Sequence, residues 1–176
     1  KNYSIDLKLD KKFILVTGHR RESFGKGFKN ICSAISEVAH SNNEIHFIFP
    51  VHLNPNVQVP VYKILKDIAN VSLIPPQDYL PFIYLMKKAY IILTDSGGVQ
   101  EEACILKTPC VTIRNNTERP ETIKIKSNIL TGYNAKLIKK AIYKMLKSKK
   151  SWENPYGKFV SNKILKILIK EYKNEN

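Results

Sequence analysis

Cysteine, glycine, arginine and tryptophan are all scarce in this chain of 176 residues, which holds three, seven, four and one of them. The three cysteines, Cys32, Cys104 and Cys110, have no paired spacing. That excludes a disulfide scaffold and a zinc pattern and reads as reduced thiols inside a core. No apolar run approaches the ~20 residues of a membrane span, and no N-terminal segment reads as a signal peptide, so the expected setting is the cytoplasm, away from membrane. The chain begins with Lys1, and its first residues lead towards an apolar strand. This is the expectation for the later part of a longer polypeptide.

What is abundant is lysine. The net charge is +14, yet residues 123–176 hold fourteen lysines against three acids, and the first 122 residues are close to balanced. The excess belongs to two amphipathic segments, expected as helices at about 134–148 and 158–173, where lysines alternate with Ile and Leu as in Lys163-Ile164-Leu165-Lys166-Ile167-Leu168. A lysine-coated helix exterior explains this without a nucleic-acid partner, and no aromatic-glycine motif supports one.

Apolar runs suited to strands occur at Phe13–Thr17, Ile45–Pro50, Val71–Ile74, Tyr90–Thr94, Cys110–Ile113 and Ile129–Thr131. Helical patterns lie between them: Phe28, Ile31, Ile35 and Val38 at three- and four-residue steps, then Tyr79–Ala89 and Val99–Leu106. Alternation of this size predicts one α/β domain over 1–176, a Rossmann-like, doubly wound parallel sheet. Ligands of such sheets sit outside the carboxyl ends of the strands, where every polar motif of this chain falls.

The most informative motif is Thr94-Asp95-Ser96-Gly97-Gly98-Val99-Gln100-Glu101-Glu102. Two glycines at a strand-to-helix turn let the backbone approach a ligand, and the free N–H groups and positive end of the helix favour an anion. An ordinary tight turn with a helix cap has the same residues. Ser96 either caps the helix or donates to a phosphate oxygen. Glu102 lies one turn beyond Gly98 on the same face, where a carboxylate suits a ribose diol.

Other loops add candidates. Thr17-Gly18-His19-Arg20-Arg21-Glu22-Ser23 concentrates charge after the first strand. His19 either orders the loop or donates to a phosphate and moves a proton. Arg20 and Arg21 are either solvated or paired surface, or ligand contacts. Pro50-Val51-His52-Leu53-Asn54-Pro55-Asn56 reads as a rigid, non-helical connection, in which His52 serves the loop or an effector. In Pro75-Pro76-Gln77-Asp78-Tyr79-Leu80-Pro81-Phe82, Gln77 offers an amide and Phe82 a flat face, the pairing a nucleobase needs, although Phe82 also reads as plain core. Arg119, expected to be extended before Pro120, has the fork that fits a phosphate.

Taken together, TGHRRESFGKGF, PVHLNPNV, PQDYLPF, LTDSGGVQEEA, TERPE and NPYG at Asn154–Gly157 resemble, in order over about residues 13–160, the C-terminal half of the non-hydrolysing UDP-N-acetylglucosamine 2-epimerases. The resemblance implies the second half of a glycosyltransferase-B-like, two-domain architecture, with the active site between the domains. It implies that Ser96, Gly97, Gly98 and Arg119 take the diphosphate, Glu102 the ribose, and Gln77 and Phe82 the uracil. His19, the one catalytic candidate, would reach the diphosphate and sugar. Arg20 and His52 match a regulatory UDP-sugar site of some members. It further implies UDP and UDP-N-acetylhexosamine as partners, a homodimeric parent enzyme, and a reaction that needs neither metal nor nicotinamide cofactor. The carboxylates that act at C2 of the sugar come from the other half in that family, so the chain alone is expected to bind uridine nucleotides weakly and not to turn over. A hydrolysing epimerase or a glycosyltransferase shares the same clamp. One departure is visible: Lys126 stands where the family usually has glycine, which puts a turn near the phosphates in question.

Overall fold

The computed structural model describes residues 12–157 and 160–175. Six parallel strands, β1 (Phe13–Thr17), β2 (His46–Pro50), β3 (Val71–Ile74), β4 (Ile91–Thr94), β5 (Cys110–Thr112) and β6 (Asn128–Leu130), form one sheet in the order β3-β2-β1-β4-β5-β6. The helices are α1 (Lys26–Ser41), α2 (Pro55–Leu65), α3 (Tyr79–Lys88), α4 (Gly97–Ile105), α5 (Pro120–Lys124), α6 (Ala135–Leu146) and α7 (Val160–Glu175). The sheet thus winds outward in both directions from β1, and β1 and β4, in register at Thr17 and Thr94, form its switch point.

Alternate residues of the strands feed two cores. Ile14, Val16, Phe47, Phe49, Ile91, Leu93 and Val111 pack under α1, α2 and α6, while Phe13, Leu15, Ile48, Ile92 and Cys110 pack under α3 and α4. All three cysteines are free and buried, with Cys32 in the first core and Cys110 in the second. Burial pushes both of these thiols up to about 12.

One reading of the sequence is overturned. The Pro-Asn segment after β2 is not a wholly non-helical connection, because Asn54 accepts from Asn56 N at 2.9 Å and Pro55 opens α2 at its first position. Val57, Val61 and Leu65, at four-residue steps, bury one face of that helix, which tolerates Pro60 inside it. The expected helix at 134–148 is α6, with Ile138, Ala141, Ile142 and Met145 buried. The one expected at 158–173 corresponds to α7, whose first two expected residues lie outside the described part. Among the described residues α7 buries none of its apolar side chains: Ile164, Leu165, Ile167, Leu168 and Ile169 are all exposed.

The NPYG block ties the stretch between these helices to the fold. Asn154 accepts from Tyr156 N at 3.0 Å, and Tyr156 Oη donates to Glu121 of α5 at 2.7 Å. Nearby, the buried Trp152 donates from Nε1 to Cys104 O at 3.0 Å.

Lys126 has φ of 62°, the left-handed conformation that favours glycine. The turn it occupies is nonetheless intact. Ser127 N donates to Thr122 O at 3.1 Å and Lys126 N to Ile123 O at 3.0 Å, the pair of bonds that closes a helix through a left-handed residue. The departure from the family pattern therefore strains the turn without abolishing it. Lys126→Gly is expected to raise unfolding stability by about 1 kcal/mol, read as a higher urea midpoint at unchanged slope.

Candidate functional site

The loops that follow β1, β2, β3, β4 and β5 meet at the carboxyl edge of the sheet. At its centre is the start of α4. Ser96 caps the helix, its Oγ accepting from Val99 N at 3.5 Å, and Ser96 N donates to Thr94 Oγ1 at 3.0 Å. The N–H groups of Gly97 and Gly98 have no acceptor among the described residues. A side chain on Gly98 would meet nothing within 4 Å, and one on Gly97 only Glu118 Oε2 at 3.5 Å, an ordinary contact. Neither glycine is demanded by the fold's own packing, which leaves an open, electropositive seat.

Charged side chains ring that seat. Arg119 pairs with Glu101 of α4 and donates from Nη1 to Glu118 O at 2.9 Å. Arg119 is not extended as expected: with φ of −125° and ψ of 57° it caps α5, its carbonyl accepting from Thr122 N at 3.1 Å and Thr122 Oγ1 at 2.7 Å. The buried Arg114 donates from Nε to Glu22 and from Nη1 to Glu118, each at 2.7 Å. The bond from Arg114 draws the Glu118 carboxyl down to about 2, and the same contact raises the guanidinium above its ordinary value.

His19 lies beside the seat. Its backbone N–H donates to Asp95 Oδ2 at 2.7 Å, and Arg20 N donates to the same oxygen at 2.8 Å. Its ring is stacked on His52 with centroids 5.4 Å apart and planes at 18°. His52 Nδ1 accepts from Asn54 N at 3.1 Å. On the other flank, Tyr79 Oη donates to Glu102 Oε1 at 3.2 Å, and the carboxylate raises the phenol above its usual range. Gln77 Nε2 donates to Pro75 O at 2.8 Å, and Phe82 is half-buried against the second core.

Thus Ser96, Gly97, Gly98, Glu102 and Arg119 gather on and against α4, and His19, Arg20 and His52 share one side. Gln77 and Phe82 belong to the β3 loop and α3. Cavities of about 650 Å³ beside β6 and α6 and about 750 Å³ between α1 and α2 are lined by none of these ten residues.

The family model of UDP-N-acetylglucosamine 2-epimerase matches residues 1–169. The chain belongs to the UDP-N-acetylglucosamine 2-epimerase family. It is 51% identical to a UDP-N-acetylglucosamine 2-epimerase of Yersinia pestis over 169 residues, 92% of this chain but 45% of that protein. Among solved structures, the Neisseria meningitidis UDP-GlcNAc 2-epimerase bound to UDP-GlcNAc superposes with a TM-score of 0.88 at 41% identity, over 94% of this chain and 46% of that one. An Escherichia coli heptosyltransferase with ADP, at 14% identity and TM-score 0.58 over 77% of this chain and 44% of its own, shares the fold alone. This epimerase-family chain therefore spans about half the length of the relatives it matches.

Two residues of this family member escaped the sequence reading although both lie inside the quoted motif. Asp95, wholly buried, anchors the His19 loop. Gln100, also wholly buried, donates from Nε2 to Ser96 O at 3.2 Å, while its Oε1 accepts from Thr117 Oγ1 at 2.6 Å and Asn128 Nδ2 at 3.1 Å. Gln100 is followed directly by Glu101 and Glu102, so it reads as one of three polar helix residues and no local signal sets it apart. Replacing it by an isosteric apolar side chain strands buried donors, so Gln100→Leu is expected to cost on the order of 2–3 kcal/mol by chemical denaturation.

The Glu118 pair has a pH signature. A carboxyl lowered on folding stabilises in full above the ordinary carboxyl range near 4.5, and that contribution is lost as pH falls towards about 2. Glu118→Gln is expected to unfold at lower urea than wild type at pH 6, with the gap narrowing below the ordinary carboxyl range and closing only towards pH 2.

Proposed function

We propose that this chain is the uridine-diphosphate-binding half of a non-hydrolysing UDP-N-acetylglucosamine 2-epimerase. The observation that carries the reading is the open start of α4, where the N–H groups of Gly97 and Gly98 have no acceptor among the described residues, Arg119 pairs with Glu101 of the same helix and His19 faces Asp95 just before it. The Neisseria relative, whose structure holds UDP-GlcNAc, supports the same reading.

On this reading Ser96, Gly97 and Gly98 receive the diphosphate at the helix start. Arg119 moves from Glu101 onto a phosphate, two oxygens of which can take its forked donors. Glu102 accepts the ribose hydroxyls, with Tyr79 as its existing donor. Gln77 and the half-buried ring of Phe82 frame the uracil, and Arg20 and His52 lie where an effector would touch His19.

The reaction is inversion at C2 of the sugar through elimination and re-addition. The C2 proton leaves, the bond from C1 to the diphosphate oxygen breaks with its electron pair going to UDP, and a 2-acetamidoglucal remains. UDP then adds back to C1 as a proton arrives on the opposite face of C2, so atoms and charge balance over the cycle. Donors aimed at the diphosphate stabilise the charge that develops on leaving UDP and hold it for return. The proton transfer at C2 is assigned to groups outside this chain.

Calorimetric titration tests this. UDP is expected to bind this chain in preference to ADP, and Arg119→Ala and Glu102→Ala are each expected to weaken UDP binding about tenfold, the loss of one charged hydrogen bond. The chain alone is expected to give no UDP-N-acetylmannosamine. Equal affinity for ADP and UDP, or binding untouched by both substitutions, overturns the reading.

A further inference from the structure

Asp95 holds one oxygen in an unusual state. Both backbone bonds that it accepts, from His19 N and Arg20 N, fall on Oδ2. Its other oxygen, Oδ1, is buried without a hydrogen-bond donor among the described residues, and it lies 3.7 Å from Nδ1 of His19. A buried carboxylate oxygen left without a donor is expensive unless something faces it. The group that faces it is the His19 ring, 44% exposed on its outer side. That ring is also stacked on His52.

We propose that Asp95 is a positioning residue for His19: it keeps the hydrogen on Nδ1, directed at the carboxylate, so that Nε2 is the ring nitrogen offered to a bound ligand. The inference rests on reading His19 as a ligand contact. With Nδ1–H committed to Asp95, a neutral ring presents an acceptor at Nε2 and a protonated ring presents a donor there. One atom can therefore accept a hydrogen bond from the ligand or donate one to it without any rotation of the ring. The same division of labour operates wherever a buried carboxylate fixes an imidazole by its far nitrogen. The present separation exceeds a hydrogen bond, as is common for such pairs before ligand closes on them.

The geometry makes Asp95→Asn an unusually clean probe. Because both backbone bonds fall on a single oxygen, the amide oxygen of asparagine can keep them, and its NH2 group then takes the place of Oδ1 opposite Nδ1. An NH2 there requires Nδ1 to accept, which moves the ring hydrogen to Nε2. Long-range proton–nitrogen NMR spectra of the labelled full chain without ligand, above the pH at which His19 is charged, read the tautomer directly. The expected result is the Nδ1–H form of His19 in wild type, against the preference of free imidazole, and the Nε2–H form in Asp95→Asn with the remaining amide spectrum retained. An Nε2–H form in wild type, or the same tautomer in both folded proteins, overturns the proposal. Should Asp95→Asn fail to fold, the wild-type tautomer decides alone. Since no ligand is present, an Nδ1–H ring in a chain that ignores UDP sustains the positioning role and sinks only the uridine reading.

Discussion

The carboxylate of Asp95 governs how the carboxyl edge of this sheet is assembled. It sits at the end of β4, at the one place where the chain order of the strands reverses, and receives the N–H groups of His19 and Arg20 in the loop after β1. Buried charge of this kind persists only when it is met by donors and dipoles, and here the start of α4 lies two residues further along. From that anchor the polar contacts run round the seat in a loop. Glu22 of the anchored segment reaches Arg114, Arg114 reaches Glu118, and the next residue, Arg119, reaches back to Glu101 on α4. Partly exposed pairs contribute little to stability singly. Their effect is to fix where the loops stand.

The three carboxylates beside the helix start, Glu101, Glu102 and Glu118, each have a partner: Arg119, Tyr79 and Arg114. The carboxylates fix the positions of the neighbouring cations and hydroxyl. Among the described residues the N–H groups of Gly97 and Gly98 have no acceptor, so the helix start stays open. Beneath it, the buried amides of Gln100 and Asn128 hold the loop after β5 against α4 through Thr117 and Thr122.

The doubly wound sheet was legible because the strands are nearly unbroken apolar runs, the mark of burial on both faces. All six expected strands occur within a residue at either end. The open start of α4 was legible for the opposite reason, since polar and flexible residues directly after an apolar strand have few structural uses. What the pattern concealed was context. Asn54-Pro55 reads as a stiff loop because its residues favour turns, whereas the buried faces of Val57, Val61 and Leu65 convert the same residues into a helix start. Arg119 was expected to be extended before Pro120, yet its carbonyl is claimed by Thr122. Asp95 and Gln100 were invisible as contributors because their partners lie 76 and 28 residues away, in His19 and Asn128. No local rule reports such distances. Lys126 was the reverse case: a mismatch with a family pattern pointed to a left-handed backbone that no periodicity could reveal.

The placement of the thiols gives the fold a built-in record of its own opening. Cys32 lies under the helices of one face and Cys110 under those of the other, both fully shielded and held in the unreactive protonated form. Neither can meet an alkylating reagent until its own layer lifts from the sheet. The labelling rates of the two sulfurs therefore report separately on how often each half of the sandwich exposes its interior, a comparison of layer motions that needs no introduced probe.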